Sequence, residues 1–389
     1  MFKQIIHQPG RELEAQALGE NELISYRLDC GNSYIEVANF GASLRKFFYG
    51  GIEAVLNYDN PFTPLTEAKN YFGAVLVPFA GRVKIADEII LHSGPAGGAR
   101  RYWNLLKHDD ESFTLGLDIA DQEDGFPGNR HFEVEYRLAK PGELEIVMTA
   151  ESDRETYVNM GFHPYFNLSK YPDIVLQELK LHATEVYLPD GDLLPLFDCP
   201  EQCENTLLDF TTKAGRVLHR SLKPARSRAC EITDESSRAL LSSLQSVAGI
   251  DHYFFNRQNL EALVAGKKLE LTKLAELFAP DTEAKLEVYA DTPGLQVYTA
   301  QHCTNVLPGG NPLPLTANRL TTPYCGLALE PQLPPNGPNE AELRALYRLL
   351  PAEKSQRKLH FVLTPAEKLS TGPDDNNLGI LDDPFDLMN

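Results

Sequence analysis

Four short segments place ionisable side chains among aromatic and turn residues in a way that strand packing alone does not require. The first is Asn159-Met160-Gly161-Phe162-His163-Pro164-Tyr165-Phe166-Asn167-Leu168. The proline after His163 keeps that residue extended, and the aromatic neighbours offer the apolar wall and stacking face of a sugar pocket. The second, Leu327 to Asn339 (LALEPQLPPNGPN), sets Glu330 between an apolar stretch and a proline-rich loop. A carboxylate at such a strand end is suited to carrying a proton. The third is Gly249-Ile250-Asp251-His252-Tyr253-Phe254-Phe255, an acid and an imidazole entering an aromatic strand. The fourth is Val77-Pro78-Phe79-Ala80-Gly81-Arg82, with Leu91-His92-Ser93-Gly94 shortly after it. Any one of these has an ordinary structural explanation, because a single His or Glu near aromatics is usually a satisfied packing residue; their occurrence in one ordered series carries the weight.

Positioning such groups falls mainly to strands. His131 to Leu138 (HFEVEYRL) alternates, with Phe132, Val134, Tyr136 and Leu138 on one face, and Leu144, Ile146 and Met148 resume the pattern after the turn Ala139-Lys140-Pro141-Gly142, which predicts a hairpin. A second hairpin is expected from Leu286, Val288 and Ala290 through Asp291-Thr292-Pro293-Gly294 into LQVYTAQ. Tyr34 to Phe40 and Lys358 to Leu363 read as further strands, the latter with Leu359, Phe361 and Leu363 inward. Helices are expected at Asn259 to Phe278 and at Asn339 to Leu350, where Asn339 and Glu342 have capping-box spacing. No fixed-period repeat, strand–helix alternation or Gly-rich phosphate loop is visible, which weighs against a propeller or solenoid and against a nucleotide fold.

At 389 residues, 42% hydrophobic and 23% charged, the chain has the composition of a soluble globular protein. Its 55 acidic against 36 basic residues give a net charge of −19. That charge repels a polyphosphate backbone or an anionic membrane over a Debye length of roughly 8 Å, leaving no nucleic-acid or membrane partner and favouring a neutral small molecule. The chain has no apolar run long enough to span a bilayer, and the N-terminal stretch MFKQIIHQPGRELEAQ lacks the apolar core of a secretory signal, so the cytoplasm is the expected location. Six scattered cysteines are expected to be reduced thiols. Cys199 and Cys203 are spaced as a metal pair, but no second pair accompanies them, and no metal is expected. From Ala366 onward, five aspartates and little periodicity predict a flexible acidic tail, residues 366–389, beyond a single catalytic domain of residues 1–365.

In this order the segments resemble the aldose 1-epimerase (galactose mutarotase) family over about residues 25 to 365. Gly41-Ala42-Ser43-Leu44 and Asn57-Tyr58-Asp59 are similar to its N-terminal strands, Tyr71-Phe72-Gly73 with Gly81-Arg82 to its GR/NRI element, and Leu91-His92-Ser93-Gly94 with Trp103 to its LHGG element. Asp124-Gly125-Phe126-Pro127-Gly128-Asn129 matches DGxPGN, His163 to Leu168 the HSYFNL signature, Asp251-His252 the DH pair, Pro293 to Thr299 PGLQVYT, and Leu329-Glu330-Pro331-Gln332 with Asn339 the LExQxxPxxxN element. The resemblance implies an all-β fold, a large antiparallel β-sandwich (the supersandwich) with minor helices, and no cofactor. It makes Glu330 the general base, His163 the general acid, and Arg82, His92 and Asp251 the holders of sugar hydroxyls, with Tyr165 and Gln296 bordering the pocket.

The residue types suit that reaction. Exchanging the anomers of a pyranose requires a proton to leave the C1 hydroxyl and another to reach the ring oxygen; the ring opens to the aldehyde, rotates about C1–C2 and closes again. One base and one acid suffice. With ordinary values near 4.3 for Glu and 6.5 for His, the base is expected ionised at neutral pH and the acid kept protonated by a nearby carboxylate. The sequence departs from the family in placing nine residues between Arg82 and His92, as if a hairpin were missing, and in Gly81, Pro164 and Pro335-Asn336-Gly337, which replace Asn, Ser and PDA. These changes bear on the preferred sugar rather than the reaction. Two other readings compete: an epimerase for a hexose 6-phosphate, which would want an arginine cluster such as Arg82, Arg100 and Arg101, and a carbohydrate-binding protein of the same fold without turnover.

Overall fold

The computed structural model describes residues 1–10, 12–67, 70–212, 215–226, 235–304, 306 and 310–366. The predicted acidic tail, apart from Ala366, and Cys230 lie outside the described residues. Among these residues, three antiparallel sheets hold most of the strands. The largest has nine, in the spatial order Asn104–His108, Ser112–Ile119, Arg130–Lys140, Glu143–Ser152, Lys354–Thr364, Ala284–Ala290, Thr272–Ala279, Glu178–Leu181 and Arg216–Val217. A seven-stranded sheet runs Glu201–Gln202, Glu185–Tyr187, Asp251–Phe255, Gly294–Tyr298, Leu327–Gln332, Tyr165–Phe166 and Val55–Leu56. The third, of five strands, is built from the N-terminal segment Phe2–Ile6 to Ile52–Glu53.

The long strands follow the alternation in the sequence. Phe132, Val134, Tyr136 and Leu138 are buried, and the partner Glu143–Ser152 buries Leu144, Ile146 and Met148. Leu359, Phe361 and Leu363 turn inward from Lys354–Thr364. The main core joins these residues to Tyr26, Leu28 and Ile35 of the five-stranded sheet and to Leu295, Val297, Leu327 and Leu329 of the seven-stranded one. That last contribution fixes the active face. Because side chains alternate across a strand, burying Leu295 and Val297 leaves Gln296 and Tyr298 on the other side, and burying Leu327 and Leu329 does the same for Glu330. A one-residue slip would trade apolar groups worth about 1.5–3 kcal/mol each for a carboxyl in the core.

Three local expectations are overturned. The second predicted hairpin does not form: Ala284–Ala290 pairs within the nine-stranded sheet, whereas Gly294–Tyr298 pairs with Asp251–Phe255 and Leu327–Gln332 in the seven-stranded one. The Asp291–Gly294 turn therefore carries the chain from one layer to the other. Gly294 permits it, since a Cβ there would sit 2.1 Å from the Phe254 carbonyl oxygen. The predicted helix at 259–278 is a helix only over Arg257–Val264, capped by the Asn256 side chain, and its second half is the strand Thr272–Ala279. Strands on both flanks of that Leu- and Ala-rich stretch override its helical propensity. The predicted helix at 339–350 is replaced by two 3₁₀ turns, Gly337–Asn339 and Arg344–Tyr347, and the short strand Arg348–Leu349, whose pairing with Thr156–Tyr157 holds the end of the stretch extended. Two helices that periodicity did not single out, Leu218–Arg226 and Glu235–Ser246, lie between the strands Arg216–Val217 and Asp251–Phe255.

Candidate active site

The register of the seven-stranded sheet lines up the site. Tyr187 is opposite Tyr253, Tyr253 opposite Gln296, and Gln296 opposite Glu330, so four strands contribute one transverse row. Two residues along, Asp251 is opposite Tyr298, Tyr298 opposite Ala328, and Ala328 opposite Tyr165, giving a second row on the same face. A cavity of about 330 Å³ opens over these rows, at the small end of ligand pockets. All seven residues singled out in the sequence line it: Arg82, His92, His163, Tyr165, Asp251, Gln296 and Glu330.

Two short elements complete the lining. His163 ends the strand Gly161–His163, which pairs with Ala74–Leu76. Arg82 and His92 come from a hairpin that the sequence had suggested was missing. Arg82–Ile85 pairs with Glu88–Leu91 around a tight turn at Ala86-Asp87, and Arg82 faces Leu91. The nine intervening residues thus form a minimal hairpin that brings His92 back to Gly81. The Gly81 N–H donates to His92 Nδ1 at 3.0 Å, and the His92 N–H donates to the Gly81 carbonyl at 3.0 Å. Remote residues hold the hairpin in place: Asn336 Oδ1 accepts from the Lys84 N–H, and the Asn339 amide donates to the Lys84 carbonyl. Gly81, at φ 75°, has Pro335 against it so closely that a Cβ would be 2.9 Å from the proline ring. The glycine that departs from the family pattern therefore fits the proline of the LExQxxPxxxN element.

His163 Nε2 lies 3.3 Å from Glu330 Oε1, and both side chains are almost wholly buried. Glu330 Oε2 and His163 Nδ1 are buried without a hydrogen-bond partner among the described residues. Burial pushes the Glu330 carboxyl well above its ordinary range, with Asp251 adding to the rise and Arg82 opposing it. Burial also pushes His163 down to about 3. The contact has ion-pair geometry, while desolvation opposes a charge on either partner, raising Glu330 and lowering His163. The carboxylate expected beside His163 is in place, and burial works against the charge that it would hold there.

Around this pair the polar groups are held in fixed roles. Asp251 Oδ1 accepts from Gln296 Nε2 at 2.7 Å, and its Oδ2 is 3.7 Å from Arg82 Nη1. Burial of the Asp251 carboxyl raises it, against Arg82 and Gln296. Burial, with His163, Arg82 and Arg100 nearby, holds His92 well below 6.5, so its ring is neutral. Since Nδ1 accepts from Gly81, the ring proton is on Nε2, and His92 is a fixed donor. Donor atoms of His92, His163 and Glu330 lie within 4.8 Å of one another, the spacing of a possible metal site. His92 fits that use poorly, since ligating a metal through Nε2 would move its proton to Nδ1 and set two N–H groups against each other.

Sequence reasoning missed other pocket residues, including Asn70, Tyr71, Tyr187, Tyr253 and His302. Tyr71 meets the His92 ring edge-on at 4.6 Å and carries the Arg100 guanidinium 4.4 Å over its face. It belongs to the Tyr71-Phe72-Gly73 element matched to the family, which was not read as lining the pocket. Asp124 of the DGxPGN turn is not at the pocket: its Oδ1 accepts from Arg130 Nη1 at 2.8 Å, both side chains fully buried, and from the Phe126 N–H. Asn159 is structural too, its side chain joining Ala80 to Leu333.

A mostly β fold in which two imidazoles, two carboxyls and a guanidinium converge on one cavity is the class that the structure defines, and comparisons with known proteins narrow it. The sequence model of the family described as aldose 1-epimerase matches residues 25–361, and the chain belongs to that family. It is 33% identical over 257 residues to the aldose 1-epimerase of Escherichia coli, a match covering 65% of this chain and 63% of that protein, a little under two thirds of its length. It is 25% identical over 321 residues to the galactose mutarotase of Sus scrofa, covering 76% of this chain and 80% of the other. The fold matches the crystal structure of galactose 1-epimerase from Lactobacillus acidophilus with a TM-score of 0.71 at 22% identity, over 94% of this chain and 99% of that one.

Proposed function

We propose that this chain is an aldose 1-epimerase that interconverts the α and β anomers of a free hexose by general acid/base ring opening and reclosure, with residues 1–365 acting as one catalytic unit in the cytoplasm. The observation that carries the reading is the 3.3 Å contact between His163 Nε2 and Glu330 Oε1 on the floor of the cavity. A pyranose entering there meets two proton carriers that share one proton. With Glu330 ionised and His163 protonated, Glu330 takes the proton of the C1 hydroxyl while His163 gives one to the ring oxygen; reclosure on the other carbonyl face reverses both transfers. Sugar hydroxyls entering the pocket solvate Glu330, which favours this arrangement over the neutral one. His92 donates through Nε2, Arg82 donates, and Asp251 accepts, so the ring is held on several sides while C1 turns.

The hexose 6-phosphate reading is weaker. Arg101 is engaged with Glu123 and Arg82 faces Asp251, so two of the three candidate arginines already neutralise carboxylates. A phosphate dianion would also face Asp251 and Glu330. Polarimetry of freshly dissolved α-galactose, α-glucose and α-glucose 6-phosphate tests the proposal. Accelerated equilibration of a free hexose, unaffected by chelator, is expected. Sugar binding with an uncatalysed exchange rate would instead mark a binding protein.

A further inference from the structure

Two of the strands that carry the site are each close to a buried cysteine. Cys303 lies five residues beyond Tyr298, and Cys325 lies two residues before Leu327. Both are fully buried and free of disulfides. Their thiols share a hydrogen bond. The backbone brings the two segments together, because the Ala300 carbonyl accepts from the N–H groups of both Cys303 and Tyr324. The cysteines pack in a small apolar cluster with Tyr165 and Ala328, and Tyr298 lies against it. Tyr165 and Tyr298, 6.2 Å apart and edge to face, are part of the pocket wall. The thiols thus sit directly behind that wall, and the ring-opening chemistry has no use for them.

The two sulfurs are not equivalent. The hydrogen bond from Cys303 lowers Cys325, against the effect of burial, and Arg319 assists; the same bond, with burial, raises Cys303. One thiol is thereby suited to act as a thiolate nucleophile and the other to supply its proton. We propose that Cys303 and Cys325 form an oxidisable dithiol that closes to a disulfide under a peroxide and, in closing, displaces the Tyr165–Tyr298 wall of the sugar pocket.

The Cys325 sulfur attacks one peroxide oxygen, the O–O bond breaks, and one water leaves with a sulfenic acid formed on Cys325. The Cys303 sulfur then attacks that sulfur, and the hydroxyl departs as a second water with the Cys303 proton. Two thiols are oxidised by two electrons, and one hydrogen peroxide is reduced to two waters. An S–S bond of about 2.05 Å is much shorter than a contact between two thiols, so closure pulls the segment bearing Tyr298 and His302 towards the entry to the Glu330 strand. The Tyr298 hydroxyl, which accepts from the His302 N–H at 3.2 Å, moves with it.

The effect on sugar affinity rests on the mutarotase reading, but formation of the bond does not. The full chain is exposed to hydrogen peroxide, its remaining thiols are alkylated, and digests are mapped by mass spectrometry beside the anomer-exchange assay. The expected result is a Cys303–Cys325 cross-linked peptide pair, reversed by dithiothreitol, with KM raised about threefold or more and kcat changed less. Cys303→Ser and Cys325→Ala should each abolish the cross-link and the KM response. If both thiols stay alkylatable while exposed Cys199 is consumed, or if single sulfinic acids form instead, the dithiol is refuted. A cross-link that leaves KM unchanged refutes the effect on the wall. An untreated protein with no exchange activity overturns the mutarotase reading while the cross-link remains measurable.

Discussion

Two glutamates, one in each large sheet, show how the same side chain is put to opposite uses. Glu276 lies on Thr272–Ala279 of the nine-stranded sheet, with Lys285 Nζ at 2.7 Å and Lys180 Nζ and His182 Nε2 at 3.1 Å. Burial alone would raise its carboxyl, but hydrogen bonds from Lys285, His182 and Lys180 outweigh that and bring it down to about 2. Glu330, on Leu327–Gln332 of the seven-stranded sheet, is more deeply buried and has an imidazole beside it that burial keeps neutral. Its carboxyl is raised. One carboxylate is fully matched and holds a surface network together; the other is left unmatched, at a cost in stability, and so remains able to move a proton.

The contrast can be broken from either side. Glu330→Gln is expected to reduce kcat by on the order of 10³-fold or more, while the melting temperature stays level or rises, because an unmatched acid is replaced by a neutral isostere. Stopped polarimetry and thermal unfolding read the two effects. Asp251→Asn keeps the Gln296 neighbour but loses a charged acceptor for sugar hydroxyls, and kcat/KM should fall about 10- to 100-fold, more through KM than kcat. The pH profile sharpens the comparison. Because His163 takes up a second proton only near 3, kcat/KM of the free enzyme should stay flat as pH falls through 6.5, where an ordinary histidine would give an inflection. Glu276→Gln should have the smallest effect, at most about 1 kcal/mol of stability with kcat unchanged, seen by urea unfolding. Since the folded carboxyl titrates at about 2 against an ordinary 4.5, that contribution is present in full above about 4.5 and is lost as pH falls towards 2.

What could be read from the sequence follows from how local each signal is. The Arg130–Lys140 hairpin was legible because alternation and turn chemistry lie within one stretch of chain. Arg82, His92, His163, Asp251 and Glu330, which meet at one cavity, were legible because each sets an ionisable group among apolar or aromatic residues, whereas Tyr165 and Gln296 were reached only through the resemblance. The sheet a strand joins was not legible: nothing within Leu286 to Tyr298 records that its two halves pair with partners in different layers. The same holds for the charge on His163, since burial is set by residues brought from across the chain. His92 could be placed only once the turn at Ala86-Asp87 and the remote clamps Asn336 and Asn339 were seen.

The central claim is that Glu330 and His163 work as a unit around a shared proton, and a double-mutant cycle addresses it most directly. Anomer exchange of galactose, followed by NMR magnetisation transfer, would be measured for Glu330→Gln, His163→Asn and the double variant. The account predicts that each single change removes most of the catalysis and that the double variant is little worse than the poorer single one. Losses that multiply, or a His163→Asn protein close to the parent rate, would contradict it.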